Sequence, residues 1–342
     1  AQQALSRLVE KRDLAREEML AVMGGIMRGE YTHAQTAGIL TALRMKGETV
    51  EEIAAAASVM RELATKVNLG DLPHLIDTVG TGGDSSHTFN VSTAAALVAA
   101  AAGARVAKHG NRSVSSSSGS ADVLEVLGVN VSAMGAADVE RCVREVGFGF
   151  MFAPNHHSAM KHAAPVRREL GIRTIFNVLG PLTNPAGAKR QVIGVFRRDL
   201  VGLLAQVLRD LGSEHVLVVH GSDGMDEITL TGETYVAELR DGALKEYTIS
   251  PELCGIPAQQ ANLRVTNAQE SKALILGVLA NERGPARDIV QLNAGASLYV
   301  AGLAPSIEAG FKLAGETIAS GAARRKLDQL AGFSSLLKAG AA

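Results

Sequence analysis

Residues 77–122 read DTVGTGGDSSHTFNVSTAAALVAAAAGARVAKHGNRSVSSSSGSAD, and the fold is decided by how this stretch is parsed. Leu75 to Val79 is a short apolar run that predicts a buried strand. Gly80-Thr81-Gly82-Gly83-Asp84 follows it, and glycine, having no Cβ, lets the backbone come close to a ligand there. Ser92 or a neighbour is positioned to cap a helix over Thr93–Ala102, nearly all alanine, leucine and valine and therefore buried. Arg105-Val106-Ala107 predicts the next strand. Lys108-His109-Gly110-Asn111-Arg112 and five serines between Ser113 and Ser118 come after it, and a second helix starts near Ser120. Two open loops at strand C-termini, each feeding a helix N-terminus, make an anion site, because free N–H groups and the helix dipole both favour negative charge.

The side chains of the stretch narrow the anion. Lys108 and Arg112 bring positive charge, the serines, threonines and asparagines bring neutral donors, and Asp84 can hold a metal or a sugar hydroxyl. Phosphate attached to a hydroxyl-bearing group fits this set. The competing explanation is a glycine turn and a solvated serine loop with no ligand. Neither G-x-x-x-x-G-K-[S/T] nor G-x-G-x-x-G is present.

Outward from the stretch, 342 residues are enough for two domains, or one with a sizeable appendage. A hydrophobic content of 46% and a charged content of 20% suit a globular protein with a large core. The net charge of −1 gives no reason to expect a nucleic-acid surface. No signal-peptide pattern and no membrane-length apolar run are present, so a cytoplasmic protein is expected. Cys142 and Cys254 lack metal-ligand spacing and are expected to be two buried thiols, not a disulfide.

Before residue 66 the pattern is helical throughout. Leu5, Leu8, Leu14, Met19, Leu20, Val22 and Met23 recur at helical spacing. A helix over Thr32–Lys46 stops at Gly47, and Thr49 with Glu52 forms a capping box for a helix running to about Lys66. From Leu75 strands (75–79, 105–108, 148–152, 191–196, 215–219) alternate with helices (93–102, 120–127, 136–146, 199–211). Such alternation predicts an α/β fold, a mostly parallel central sheet flanked by helices, with a small all-α N-terminal domain. Residues 234–238 and 245–249, linked through Asp241-Gly242, predict a hairpin or edge. Helices return over Asn267–Asn281, Pro285–Gly302, Ser306–Gly321 and 322–337. Residues 153–190, rich in proline, histidine and arginine, predict a crossing between domains.

Three further groups carry chemistry. Asp226 and Glu227, adjacent in a glycine-flanked loop after the apolar run Val216–Val219, suit a hard cation with oxygen ligands, Mg²⁺ above all. An acidic surface turn is the bland alternative. Arg167 and Arg168, neighbours on a helix, face different ways, so at most one enters a given cleft. His109, His156, His157 and His162 lack zinc spacing.

GTGGD at 80–84, NVST at 90–93, KHGNRSVSS at 108–116 with GSAD at 119–122, MFAPNHHSAM at 151–160, VRRELGIRTIFNVLGPLTNPA at 166–186 and the pair in GMDEI at 224–228 resemble, in order, the anthranilate phosphoribosyltransferases of tryptophan biosynthesis. The resemblance spans nearly the whole chain. It implies Mg²⁺-dependent transfer of phosphoribosyl from 5-phosphoribosyl 1-diphosphate to the amine of anthranilate, without a nucleophilic side chain. It implies a small helical domain over 1–70 with a return segment over about 165–190, an α/β domain over 71–342, and a homodimer through the helical part. Carried over position by position, the donor would meet Gly80, Gly83, Asp84, Thr88, Asn90, Val91, Ser92, Thr93, Lys108, His109, Gly110, Asn111, Arg112, Ser113, Val114, Ser115, Ser116 and Ser120. Ser92, Asp226 and Glu227 would hold one or two Mg²⁺ ions, and Gly80, Asn111 and Arg167 would meet anthranilate, with His109 and His157 flanking its ring. Many relatives carry a lysine in the serine loop where this chain has Ser117, which shifts weight onto Lys108 and Arg112. Pyrimidine nucleoside phosphorylases look similar in fold and loops, and a catalytically silent nucleic-acid-binding member of the fold is the remaining alternative. The expected partners are small molecules and a second copy of the chain, with no nucleic acid or membrane; the residues do not specify an anthranilate synthase partner.

Overall fold

The computed structural model describes residues 1–113 and 118–337. Helices α1 (Gln2–Val9), α2 (Arg16–Arg28), α3 (His33–Lys46) and α4 (Val50–Leu63) come first. The capping box that starts α4 is as expected: Glu52 N–H donates to Thr49 Oγ1 at 3.2 Å and Thr49 N–H to Glu52 Oε2 at 2.9 Å. Glu52 also accepts from Leu14 N–H and from Lys46, so a fully buried acid pins three parts of the bundle. The helix ends at Leu63, short of Lys66, because Ala64 turns to extended backbone.

The strands are β1 (Leu75–Gly80), β2 (Arg105–Gly110), β3 (Phe148–Phe152), β4 (Arg190–Gly194), β5 (His215–Gly221), β6 (Thr234–Arg240) and β7 (Ala243–Ile249). Among the described residues they form one sheet in the order β3-β2-β1-β4-β5-β6-β7, parallel through β5 and antiparallel beyond it. The hairpin β6–β7 turns at Asp241-Gly242, both with positive φ (51° and 82°), and its strands run two residues further toward the turn than the polar pattern suggested. β4 ends at Gly194, two residues before its expected end.

Helices α5 (Val91–Ala101), α6 (Ser120–Val126) and α7 (Ala136–Val146) connect β1 to β3. α5 is apolar on every side because it is buried on every side. It starts at Val91 with Asn90 as N-cap, so Ser92 stands inside the first turn and is not the cap. The crossing after β3 contains α8 (Ala153–His156), α9 (Ala164–Leu170) and α10 (Phe176–Leu182); α11 (Leu200–Asp210) then joins β4 to β5. The C-terminal part folds as α12 (Ala268–Leu279), α13 (Pro285–Val300), α14 (Ile307–Ala319) and α15 (Ala322–Ser335).

Two apolar clusters lie on either side of the sheet. Leu217 and Val219 of β5 belong to the one built on α5 and α13, and Val216 and Val218 to the one that includes α1–α4, α9, α10 and α11. This is the period-two alternation of a strand buried on both faces. Cys142 is buried, whereas Cys254 is half-buried at the rim; both are free thiols. No described helix is long and apolar enough to cross a membrane.

Candidate active site

The chain winds outward from β1 to β2 and β3, then returns to the other side of β1 for β4 and β5. The strand order therefore reverses between the C-terminal ends of β1 and β4, the place where open α/β sheets bind ligands. Gly80 faces Gly194 there. The loop 222–228 after β5 folds back over this pair. A Cβ on Gly194 would collide with the Asp226 main chain, and one on Gly80 with the Asp226 carboxylate. The room at Gly80 thus admits the protein's own acid.

The glycine loop and the acidic loop bind each other reciprocally. Gly82 N–H donates to Asp226 Oδ2 at 2.7 Å, and Asp226 N–H donates to Asp84 Oδ2 at 3.3 Å. Asp84 is itself fixed by Ser86, through its N–H at 3.1 Å and its hydroxyl. Gly82 and Gly83 adopt φ of 67° and 72°, where a side chain would be strained. The far side of the loop is braced from 263–265: Phe89 N–H donates to Leu263 O, Val265 N–H to His87 O, and Thr88 bridges Arg264.

Charge is concentrated beneath these loops. Burial, and then the neighbouring Asp84, push Asp226 up to about 7. Glu227 is pushed well above the carboxylate range by burial and by Asp226, although Ser92 N–H donates to it at 3.2 Å. Lys108 is 1% exposed, its Nζ donating to Thr78 O and to Ser92 Oγ, and burial pulls it down against the pull of Asp77, Glu227 and Asp226. Asp77, pushed up to about 6 by burial, takes the Asn184 amide at 2.8 Å and also attracts this lysine. Lys108 is therefore an internal counter-charge below the acidic pair. Asp77 and Asn184 escaped sequence reasoning, since a lone Asp in a strand carries no signal of burial.

Among the described residues no three His, Cys, Asp or Glu side chains are grouped to hold a metal. Two carboxylates and the Ser92 hydroxyl are a hard but incomplete oxygen set. That fits Mg²⁺, which takes one or two carboxylates and completes its shell with phosphates and water.

On the second loop, Arg112 is engaged by Glu125 in a two-pronged pair at 2.6 Å each and lies 5.4 Å from the Phe152 ring centroid. Asn111 accepts from Arg112 N–H through its side chain and from Ala121 N–H through its carbonyl. A Cβ on Gly110 would collide with Ser120, and Ser113 N–H donates to Asp122 at 2.9 Å, so the two ends of the loop lie together. Asn90 reaches the same region, donating to Ser118 O at 3.0 Å. Val91 and Thr93 are buried in the first turn of α5. Val114, Ser115, Ser116 and Ser117 lie outside the described residues.

The crossing segment supplies the opposite wall. Arg167 is half-buried 5.3 Å over the Phe176 ring, and no carboxylate pairs with it among the described residues, while Arg168 is exposed. Four residues beyond Phe176, Gly180 O accepts from His109 Nδ1–H at 3.1 Å. His109 and His157 stand 5.0 Å apart, centroid to centroid. That separation is too small to sandwich an aromatic ring, so the two imidazoles form one wall and do not flank an acceptor from both sides. Burial holds His109 down at about 3 and His157 at about 4, so both are neutral near pH 7. His156 is a core residue turned to Thr65 O. Arg173, not among the expected site residues, donates to Gly83 O and lies 4.4 Å over the Phe196 ring, joining the crossing segment to the glycine loop.

The model of the glycosyl transferase family's a/b domain matches residues 72–324, and that of the same family's helical bundle domain matches residues 2–64. The chain is 61% identical to the anthranilate phosphoribosyltransferase of Thiobacillus denitrificans, over 98% of each chain. It is 61% identical to that of Laribacter hongkongensis, over 96% of each. Among solved structures, the Thermus thermophilus enzyme superposes with a TM-score of 0.90 at 45% identity, covering 97% of this chain and 99% of that one. The Saccharomyces cerevisiae enzyme in complex with PRPP and Mg gives 0.87 at 28% identity, covering 97% of each.

Proposed function

The chain belongs to the anthranilate phosphoribosyltransferase family, and we propose a division of labour among its residues for that reaction. It is a glycosyltransferase of tryptophan biosynthesis: it transfers the phosphoribosyl group of 5-phosphoribosyl 1-diphosphate to the amine of anthranilate, with Mg²⁺. The observation that carries the assignment of residues is the meeting of the glycine loop, the acidic pair and the arginine-bearing crossing segment at the point where the strand order reverses.

The N–C1 bond forms as the bond from C1 to diphosphate breaks, and the nitrogen then gives up one proton to water. The amine of an aromatic acid is already unprotonated, so the demand is on steadying the departing charge, and preorganised donors meet it. Main-chain N–H groups of the loop over Gly80–Asp84 and of the first turn of α5, with the loop from Lys108 to Ser120, receive the donor. Asp226 and Glu227, with the Ser92 hydroxyl, would hold Mg²⁺, which would supply positive charge to diphosphate. Lys108 holds the acids in place from below. Arg167 takes the anthranilate carboxylate in a two-pronged pair, because it is half-buried without an anion of its own. His109 and His157, neutral and apolar-faced, line the ring on one side. Residues 1–70 with about 165–190 act as one wall of the cleft and 71–342 as the other. The active form is a cytoplasmic homodimer joined through the helical part, where Val9 and Met45 are 68% and 77% exposed.

Loss of anthranilate fluorescence on adding donor and Mg²⁺ is the direct test. No loss, with intact protein and both substrates present, rejects the assignment. Light scattering at a monomer's mass would reject the dimer.

A further inference from the structure

We infer that Asp226 is an internal stand-in for phosphate: in the ligand-free protein its carboxylate occupies the Gly82 amide, and the donor must displace it before that amide can bind diphosphate.

The inference rests on the functional reading above and deepens it. Gly82 N–H is aimed at Asp226 Oδ2 at 2.7 Å, a short charge-assisted bond of the kind an amide makes to a phosphate oxygen. The loop turns through two successive positive-φ glycines, the kind of turn that gathers N–H groups around an anion. Gly80 and Gly194 both lack a Cβ where Asp226 lies, so the acid is seated between two strand ends and not resting on a surface. Asp84 holds the Asp226 N–H in return. Glu227, the other acid of the pair, makes no such claim on the loop; it takes Ser92 N–H at the start of α5. Both acids thus hold a main-chain amide, but only Asp226 holds one of the glycine loop, and by the shorter bond.

The consequence is a coupling of donor and metal. A carboxylate released from Gly82 by an arriving phosphate has both oxygens for a cation, and a cation on it weakens its hold on the amide. Each ligand thus removes a competitor of the other, and by linkage the gain is mutual. The donor alone has to break the Asp226–Gly82 bond without that help.

Calorimetric titration of inorganic diphosphate into the full chain, with chelator and no metal, tests this. Asp226→Ala frees the Gly82 amide and removes one charge, whereas Glu227→Ala removes one charge and frees only the more loosely held Ser92 amide. Asp226→Ala is expected to bind metal-free diphosphate about tenfold tighter than wild type, the equivalent of one modest hydrogen bond. Glu227→Ala is expected to gain no more than about threefold, from the lost charge and the longer Ser92 bond. Asp226→Asn, which keeps an acceptor for Gly82, should resemble Glu227→Ala. Equal gains for Asp226→Ala and Glu227→Ala, or no gain for either, overturn the inference. Should Asp226→Ala fail to fold, Asp226→Asn and Glu227→Gln serve, and a gain for Asp226→Asn well above that for Glu227→Gln overturns it. Wild-type turnover with Mg²⁺ separates the two readings. Turnover without the Asp226→Ala gain rejects the stand-in and leaves the function; no turnover rejects the function whatever diphosphate does.

Discussion

Glu238 on β6 and the Asp226–Glu227 pair after β5 are half-buried acids on neighbouring stretches of chain, and their surroundings push them in opposite directions. Burial alone would raise Glu238, but His215 at 2.8 Å, Tyr299 at 2.7 Å and Tyr247 at 2.8 Å bring it down to about 2. Glu52, deep in the helical bundle, is likewise ringed by Lys46 and two backbone N–H groups. Asp226 and Glu227 instead face each other and Asp84, with Lys108 as the counter-charge in reach. An acid that only holds structure finds its complement within the chain. One whose neighbours are also acids is left to be completed by something that arrives from outside.

The contrast sets the order of effects. Replacing both Asp226 and Glu227 by Ala is expected to cut Mg²⁺-dependent turnover by about a thousandfold or more, the scale of losing a preorganised electrostatic centre. The melting temperature should not fall, since two unfavourably buried acids are gone. A double variant with wild-type-like turnover would place the metal elsewhere. Arg167→Ala should raise the KM for anthranilate about 30-fold, the equivalent of roughly 2 kcal/mol of charge-assisted bonding. The KM for the donor should stay within about twofold, and equal rises in both would remove Arg167 from the acceptor site.

Glu238→Gln should do the reverse, costing about 2 kcal/mol in urea unfolding while leaving both KM values in place. Loss of turnover without loss of stability would erase the distinction between the two kinds of acid. For pH, the sign follows from Asp226, whose ordinary value of 3.8 is raised to about 7 in the folded chain. Its contribution to metal-free stability is full below the ordinary value and is lost as pH rises through about 7. Metal binding needs the ionised forms of both acids, so Mg²⁺ affinity should climb from pH 5 through pH 7, as read by calorimetry in the presence of diphosphate. An affinity flat from pH 5 to 8 would contradict the raised value. Arg173→Ala, which unties Gly83 from the crossing segment, should raise the donor KM by about threefold to fivefold with kcat unchanged, a loss on the scale of one net hydrogen bond. Faster amide exchange over residues 80–86 would accompany it, and unchanged exchange would deny Arg173 that role.

Much of this was legible because local rules and tertiary structure agree. The alternation after Leu75 announces the parallel sheet, Thr49 with Glu52 announces a helix start, and Asp241-Gly242 announces the hairpin turn. Ser92 misleads as a cap because its hydroxyl is spent on Lys108 and its N–H on Glu227, contacts made across 16 and 135 residues of chain. Asp77, Asn184 and Arg173 were invisible for the same reason: their partners are distant in sequence. Lys108 and Arg112 could be picked out as cations, but whether each faces a ligand or an internal acid depends on packing. The histidine pair could be named, though not its 5.0 Å separation, which turns two flanking walls into one.

The alternation along β5 reaches further than packing. Val216 and Val218 serve one apolar cluster and Leu217 and Val219 the other. A slip of a single residue against β6 would exchange the contents of the two clusters and carry Gly221, with the loop behind it, off the end of β1 and β4. The hairpin at the sheet's edge, remote from any substrate, thereby acts as a gauge: it measures out the length of chain that delivers the acidic pair to its seat.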